Sequence, residues 1–421
     1  MNKYHKRQTL LFLLIVYFFT AYSQTNVFQE QFSKLFDLTI VPMTNVNFKE
    51  YYEITIQQSI DHLNPQKKFN QRAYIGFQNF NAPTLLVTDG YAIDYASKPG
   101  YSNELATELA ANLVVVEHRF FGKSIPGNAS WEALTVKQAA DDYHFIKTML
   151  DTILKGKWIS TGISKGGQAA LAYKMFYEED VAATVVYGTA VKNKQSVISD
   201  SVLFNLSHTV CGKKLAELQC FLFKHKNILL PHFSDYTSQK KFDFTPLDNE
   251  SVFDYLLLEL PFSFWQNGND CNEIPDTSAA ASELVDYVIK IVPPRFFSSE
   301  SKTRLAPSFY MFYHELGYYE YAIVPFKQWL KQTNYSNKYF APANVNIEFD
   351  NTYQRNLIDF LKTPISETIF FVYGQNDPWA MQTTINKNTF IVKSGSHKSR
   401  IVDLTNEQKT DLYSRIKVLV N

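Results

Sequence analysis

Hydrophobic positions along the chain follow three successive patterns. Tyr52, Ile54 and Ile56 alternate with polar neighbours, and after an Asn-Pro-Gln turn Ala73, Ile75 and Phe77 do the same. A period of two puts every second side chain on one face, so these segments read as antiparallel strands at a sheet edge. The pattern then becomes continuous. "APTLLVTDGYA" and "NLVVVEHRFFGKSIP" are apolar runs, and between them "NELATELAA" has helical spacing. Unbroken apolar runs alternating with helices indicate strands covered on both faces, the parallel strands of βαβ units. Residues 135–154 predict a helix through Ala139, Tyr143, Ile146 and Leu150. "WIST" predicts a strand running into the helix "KGGQAALAYKMFY", and "VAATVVYGTAV" a further strand.

From residue 192 to 304 the pattern changes again, to short helical segments rich in aromatics and broken by polar loops. "TIFFVYGQNDPW" and "NTFIVKSGSHKSRI" then return to strand followed by loop, and "NEQKTDLYSRIKVLVN" closes as a helix. There is no internal repeat and no low-complexity linker. The expected architecture is α/β, an α/β-hydrolase-like sheet interrupted by a mainly helical cap. The boundaries read as 24–191 and 305–421 for the two parts of the α/β domain and 192–304 for the cap.

Composition narrows the class. Hydrophobic residues make up 45% of the 421 and aromatics 15%, ample for a large core, while Lys+Arg and Asp+Glu balance at 41 each. That balance carries no electrostatic footprint for nucleic acid or an anionic membrane. Lys3, Lys6 and Arg7 precede an apolar stretch at 10–19, followed by small Ala21 and Ser23. This order reads as a signal peptide over 1–23, cleaved before Gln24. The apolar stretch is too short for the roughly 20 residues a spanning helix needs. An exported protein without stable membrane insertion is therefore expected. Cys211, Cys220 and Cys271 allow any of three single bridges in an oxidising compartment, with one thiol left over. Their spacing suggests no metal site, and no cofactor is expected. Asn128, Asn205, Asn249 and Asn334 begin glycosylation sequons, usable only in a eukaryotic host.

Candidate chemistry begins at Gly162-Ile163-Ser164-Lys165-Gly166, a G-x-S-x-G sequence between a strand and a helix. A serine on such a sharp turn exposes its Oγ, and the glycines let strand and helix approach. The Lys165 backbone N–H at the helix start can meet a developing oxyanion, with Gly90 or Tyr91 in "VTDGY" supplying a second amide. A serine needs a base. His397 follows the strand "NTFIVK", and Asp377 follows "IFFVYG" twenty residues earlier. The order Ser164, Asp377, His397 is that of an α/β-hydrolase triad. His118 also follows a strand but precedes the serine, which fits the order poorly.

The segments "DHLNP", "VTDGY", "VVVEHRFFGKSIP", "STGISKGGQAALAYKMFY", "FWQNGNDCNEIPD", "HELGYYEY", "FVYGQNDPWA" and "GSHKSRI" occur in that order. Together they resemble the secreted serine peptidases of the prolyl tri/tetrapeptidyl aminopeptidase family, across nearly the whole mature chain. Pro-X carboxypeptidases and dipeptidyl peptidase II are more distantly similar. The resemblance implies an α/β-hydrolase with a helical cap, peptide substrates, release of short peptides from free N-termini after proline, and a triad of Ser164, Asp377 and His397.

An exopeptidase also binds a terminal charge, and an ammonium terminus calls for a carboxylate. Glu315, Asp270 and Glu273 are the acidic candidates. Arg119 and Lys123 suit either a substrate carboxylate or the sheet edge, the latter preferred. Flat walls for a proline ring are available from Trp265, Tyr318, Tyr319 and Trp379. Two alternatives stand beside the aminopeptidase: a Pro-X carboxypeptidase or esterase on the same scaffold, and a non-catalytic binding protein of the same fold, against which the full Ser/Asp/His set argues.

Overall fold

A short edge strand, Thr39–Pro42 (β1), precedes the two alternating segments and pairs antiparallel with the first of them. The computed structural model describes residues 26–421 apart from 37, 128–129, 192–195, 198–201, 344 and 381–386. The expected signal peptide and the Asn128 sequon lie outside the described residues. Glu50–Ser59 (β2) and Lys68–Phe77 (β3) form the antiparallel pair, with Ile54 opposite Ala73. The apolar runs are Thr84–Thr88 (β4), Asn112–Val116 (β5), Trp158–Ile163 (β6) and Ala183–Tyr187 (β7). After a two-stranded parallel ribbon of Ser196–Val197 (β8) and Tyr319–Glu320 (β9), Ile369–Gly374 (β10) and Thr389–Val392 (β11) complete the large sheet. Its order is β1-β2-β3-β5-β4-β6-β7-β10-β11. Every pairing from β5 to β11 is parallel, and those from β1 to β5 are antiparallel. This is an α/β-hydrolase sheet.

Helices cover both faces, which is why the central strands read as unbroken apolar runs. Leu86, Val114 and Val116 face Val27–Leu35 (α1) through Phe28 and Phe32. Leu85, Val87, Leu113 and Val115 point to the other face, in the cluster that holds Leu105 of Glu104–Glu108 (α2). Val136–Leu150 (α3) starts at Thr135, whose hydroxyl accepts the Gln138 N–H, and buries Ala139, Tyr143, Ile146 and Leu150 against the first face. Lys165–Phe176 (α4) is buried on all sides from Lys165 to Lys174, as its Ala-rich sequence allows.

Between β7 and β10 the chain is mostly helical: Val202–Ser207 (α5), Val210–Lys224 (α6), Lys226–Lys240 (α7), Asn249–Asn267 (α8), Ala281–Ile291 (α9), Ser299–Met311 (α10) and Thr352–Phe360 (α11). Residue 304 falls inside α10, and the large sheet resumes only at Ile369. One apolar cluster joins these helices to α4 and to the sheet through Leu171, Val186, Phe371 and Tyr373. Of the three candidate bridges the structure forms Cys211–Cys271, with a Cα separation of 5.6 Å, and Cys220 keeps its thiol. Asn406–Val420 (α12) closes the chain with a Thr405/Gln408 capping box and packs Leu412 and Ile416 beneath the sheet.

Glu259 of α8 is buried, and its carboxylate accepts from Ser263 Oγ at 2.9 Å and Tyr319 Oη at 2.7 Å. Burial raises its pKa from the ordinary 4.5 to about 7. The native state therefore holds this proton over an interval where the unfolded chain has released it. Its stabilising contribution is complete below pH 4.5 and is lost as pH rises through about 7. Thermal unfolding of wild type and Glu259→Gln across this interval should show equal melting temperatures at the acid end and a progressively more stable variant toward neutral pH.

Candidate active site

The strand-to-helix turn is built by excluding Cβ atoms. Ser164 stands between β6 and α4 at φ 55° and ψ −120°, a conformation that costs a non-glycine residue about 1–3 kcal/mol. Three contacts hold it there. Its N–H donates to Tyr187 O at 2.8 Å, and its carbonyl accepts from Gln168 N–H at 3.1 Å and Thr189 Oγ1 at 3.3 Å. A Cβ on Gly162 would run into the Gly166 carbonyl, and one on Gly90 would lie 2.8 Å from both Gly166 N and Lys165 Cβ. The loop after β4 thus lies directly against the start of α4.

Asp377 follows β10 and is fully buried. One of its oxygens accepts from the Trp379 N–H at 3.0 Å, and the other faces His397 Nδ1 at 2.9 Å. A carboxylate only accepts, so the imidazole carries its hydrogen on Nδ1 and leaves the Nε2 lone pair free to take a proton. The backbone holds the ring as well: His397 N–H donates to Gln266 O at 3.1 Å, and Arg400 Nη1 donates to His397 O at 3.2 Å. Gly188, at the end of β7, passes close enough that its Cβ would meet His397 Nδ1 at 2.7 Å and Asp377 Oδ2 at 3.0 Å. His118 is buried, donates Nδ1–H to Arg119 O at 2.8 Å, and is held neutral chiefly by desolvation and then by the Lys165 charge.

Ser164 opens on a cavity of about 90 Å³ bounded by Tyr91, Lys165, Gln168, Gln266, Tyr318 and Trp379. Tyr318 and Trp379 form its aromatic wall, ring centres 5.5 Å apart. Trp379 is oriented by its indole N–H, which donates to Gln266 Oε1 at 2.9 Å. Gln266 therefore touches both the histidine loop and the aromatic wall. The sequence analysis did not single it out; its one signal was its place in "FWQNGND", beside the selected Trp265.

Five other candidates lie elsewhere. Trp265 is buried edge-on to Phe264 in the cap core. Asp270 caps the turn at Cys271–Glu273, and Glu273 pairs with Lys290 at 2.8 Å. Glu315 accepts the Val136 N–H at 2.9 Å and so satisfies an orphan amide of α3, while burial raises its pKa to about 7. Tyr319 stands behind the wall, stacked on Phe262 at 3.9 Å. None of the residues bounding the small cavity is acidic. Arg119 and Lys123 serve the sheet edge: Arg119 binds the buried Asp142 through Nε at 2.8 Å and Nη2 at 2.6 Å, and Lys123 pairs with Glu53.

The amide environment is asymmetric. The Lys165 N–H belongs to the first turn of α4, where no intrahelical carbonyl is available to it. The Tyr91 N–H donates to its own neighbour Asp89 Oδ1 at 2.8 Å, and the Gly90 amide also acts on that carboxylate. The Lys165 side chain turns back to donate from Nζ to Gly90 O at 2.8 Å, between the faces of Tyr91 and Phe121. Burial lowers its pKa from 10.5 to about 7, against the opposing pull of Asp89. Lys165→Met removes this clamp without moving the helix amide. The expected result is kcat lower by about tenfold, less than the ~10²–10³ cost of deleting an oxyanion donor itself. KM and the unfolding temperature should be nearly unchanged, because a buried cation is replaced by an apolar chain of similar length. Steady-state kinetics and calorimetry of the pair check both parts.

The chain is similar in sequence to known proteins. The chain is 26% identical over 374 residues to the prolyl tri/tetrapeptidyl aminopeptidase of Streptomyces mobaraensis, covering 85% of this chain and 78% of that one. It is 28% identical over 179 residues to human lysosomal Pro-X carboxypeptidase, 38% of this chain and 36% of the other. The solved proline iminopeptidase of Mycobacterium smegmatis superposes with a TM-score of 0.39 at 11% identity, over 86% of this chain and 99% of that one. Residues 35–417 match the family profile of the PS-10 peptidase S37 group, and the chain belongs to that family of serine peptidases.

Proposed function

We propose that the protein is an exported serine exopeptidase that releases short peptides, of three or four residues, from free N-termini with a preference for proline at the cleaved bond. The observation that carries the reading is the His397–Asp377 pair at 2.9 Å, packed against Gly188, which also bounds the aromatic-walled cavity onto which Ser164, at φ 55°, opens. The similarity to the prolyl tri/tetrapeptidyl aminopeptidase of Streptomyces mobaraensis supports the substrate class. The Cys211–Cys271 bridge and the signal-like N-terminal sequence support export. The cap in this reading is the helical region between β7 and β10.

The mechanism follows from the donor set. His397 Nε2 takes the Ser164 hydroxyl proton as Oγ bonds to the scissile carbonyl carbon. Asp377 holds the ring through Nδ1–H and stabilises the imidazolium. The carbonyl oxygen, now negative, is met by the Lys165 amide, with Gly90 or Tyr91 as second donor once substrate competes with Asp89. The imidazolium gives its proton to the departing nitrogen as the C–N bond breaks. Water, deprotonated by His397, then cleaves the ester. The flat faces of Tyr318 and Trp379 suit a proline ring on the acyl side. The partial similarity to Pro-X carboxypeptidase supports a second reading, in which the C-terminal residue is removed instead.

A fluorophosphonate probe should label the wild type and not Ser164→Ala, and peptide hydrolysis should fall by about four orders of magnitude or more in that variant. Ser164-independent labelling removes the serine from the mechanism. Mass spectrometry of products from N-blocked and C-blocked prolyl peptides then distinguishes the two readings. Cleavage that survives N-blocking but not C-blocking selects the carboxypeptidase.

A further inference from the structure

On the far side of Tyr91 from Ser164 lies a second, much larger cavity of about 1010 Å³. Tyr91 bounds both cavities, and Phe121 of the larger one flanks the side chain of Lys165, which bounds the smaller. The floor is aromatic: Phe121 meets Tyr91 edge-on at 5.6 Å, and Phe120 stacks on Trp131 at 5.7 Å. The rim is charged. Lys302 and Arg304, on α10, line it, and neither has a carboxylate partner among the described residues. Lys302 lies over the Tyr339 ring at 4.2 Å. The acid at the rim, Asp94, shares Arg72 with the buried Glu117, at 2.8 Å from the guanidinium, and is one charge against these two cations. The uncommitted charge of the cavity is therefore positive.

From this we infer that the large cavity is a subsite for the leaving, C-terminal portion of the peptide, and that Lys302 and Arg304 select for a carboxylate on it. The inference rests on the peptidase reading above. Charge decides the direction of the chain. A departing N-terminal fragment carries an ammonium, which two free cations repel, whereas the downstream portion carries the terminal carboxylate and any acidic side chains. The carboxylate comes from either of two sources, the chain terminus or an Asp or Glu close to the cleaved bond.

The test uses one N-terminal Ala-Ala-Pro segment joined to different leaving groups: p-nitroaniline, which has no leaving peptide; a short neutral peptide with a free C-terminus; the same peptide amidated; and an amidated peptide containing Asp. At low salt, wild-type kcat/KM should be about fivefold higher for the carboxylate-bearing peptides than for the neutral amide, the scale of two partly exposed ion pairs, and this margin should shrink with added salt. The terminal-acid and Asp arms report separately which carboxylate is read. Lys302→Ala/Arg304→Ala should lose the margin while hydrolysis of the anilide stays within about twofold, and Arg304→Glu should reverse the preference in favour of a Lys-containing leaving peptide. Equal wild-type rates on the neutral amide and on both carboxylate-bearing peptides, or an equal loss on anilide and peptides in the double variant, overturns the subsite alone. Failure of the wild type to cleave any of the set sinks the peptidase reading and the subsite with it.

Discussion

The closeness of three backbones around Ser164 is the constraint on which the rest of the site depends. The ends of β4, β6 and β7 converge on the first turn of α4, with glycine wherever a Cβ would intrude. This convergence fixes a serine in a conformation that an isolated chain avoids. It also brings the Lys165 amide to the serine and passes β7 directly beneath the Asp377–His397 pair. The strain at one residue is sustained by the surrounding hydrogen bonds and by a helix buried along almost its whole length. Enlarging any of these glycines would displace the nucleophile from the base as well as distorting the turn.

The electrostatics around the turn follow from the same crowding. Lys165, Asp89 and His118 are packed together, and each is pushed toward its neutral form, with desolvation as the leading cause. The Lys165 ammonium is therefore a donor to a backbone carbonyl more than a free charge. The permanent charges lie further out, in the Arg119–Asp142 pair that ties β2, the loop after β5 and α3 together. The chemistry thus takes place between a rigid, charged girdle and a nearly neutral centre.

Much of this was legible in the sequence because the signals are local. A period of two, an unbroken apolar run and a serine between glycines each report their own backbone environment. The order Ser164, Asp377, His397 reports strand succession. Direction of side chains is another matter. Glu315, Asp270 and Glu273 sit in segments that carry the family resemblance, but a carboxylate in a motif does not say whether it faces a substrate, a helix amide or a lysine, and here it faces the last two. Gln266 was missed for the converse reason: a glutamine in an aromatic segment becomes informative only when the histidine loop, remote in sequence, is folded against it. The end of the helical region was also hidden, since α10 carries helical periodicity straight through residue 304 with no break in composition.

Gln266 belongs to α8, a cap helix, yet its carbonyl holds the His397 amide and its side chain holds Trp379. Any excursion that lifts α8 from the sheet withdraws both contacts at once. The seat of the base and the pose of the aromatic wall are in this way one property of the fold and not two, since a single residue of α8 fixes both, and a substitution that shifted this helix would loosen them together.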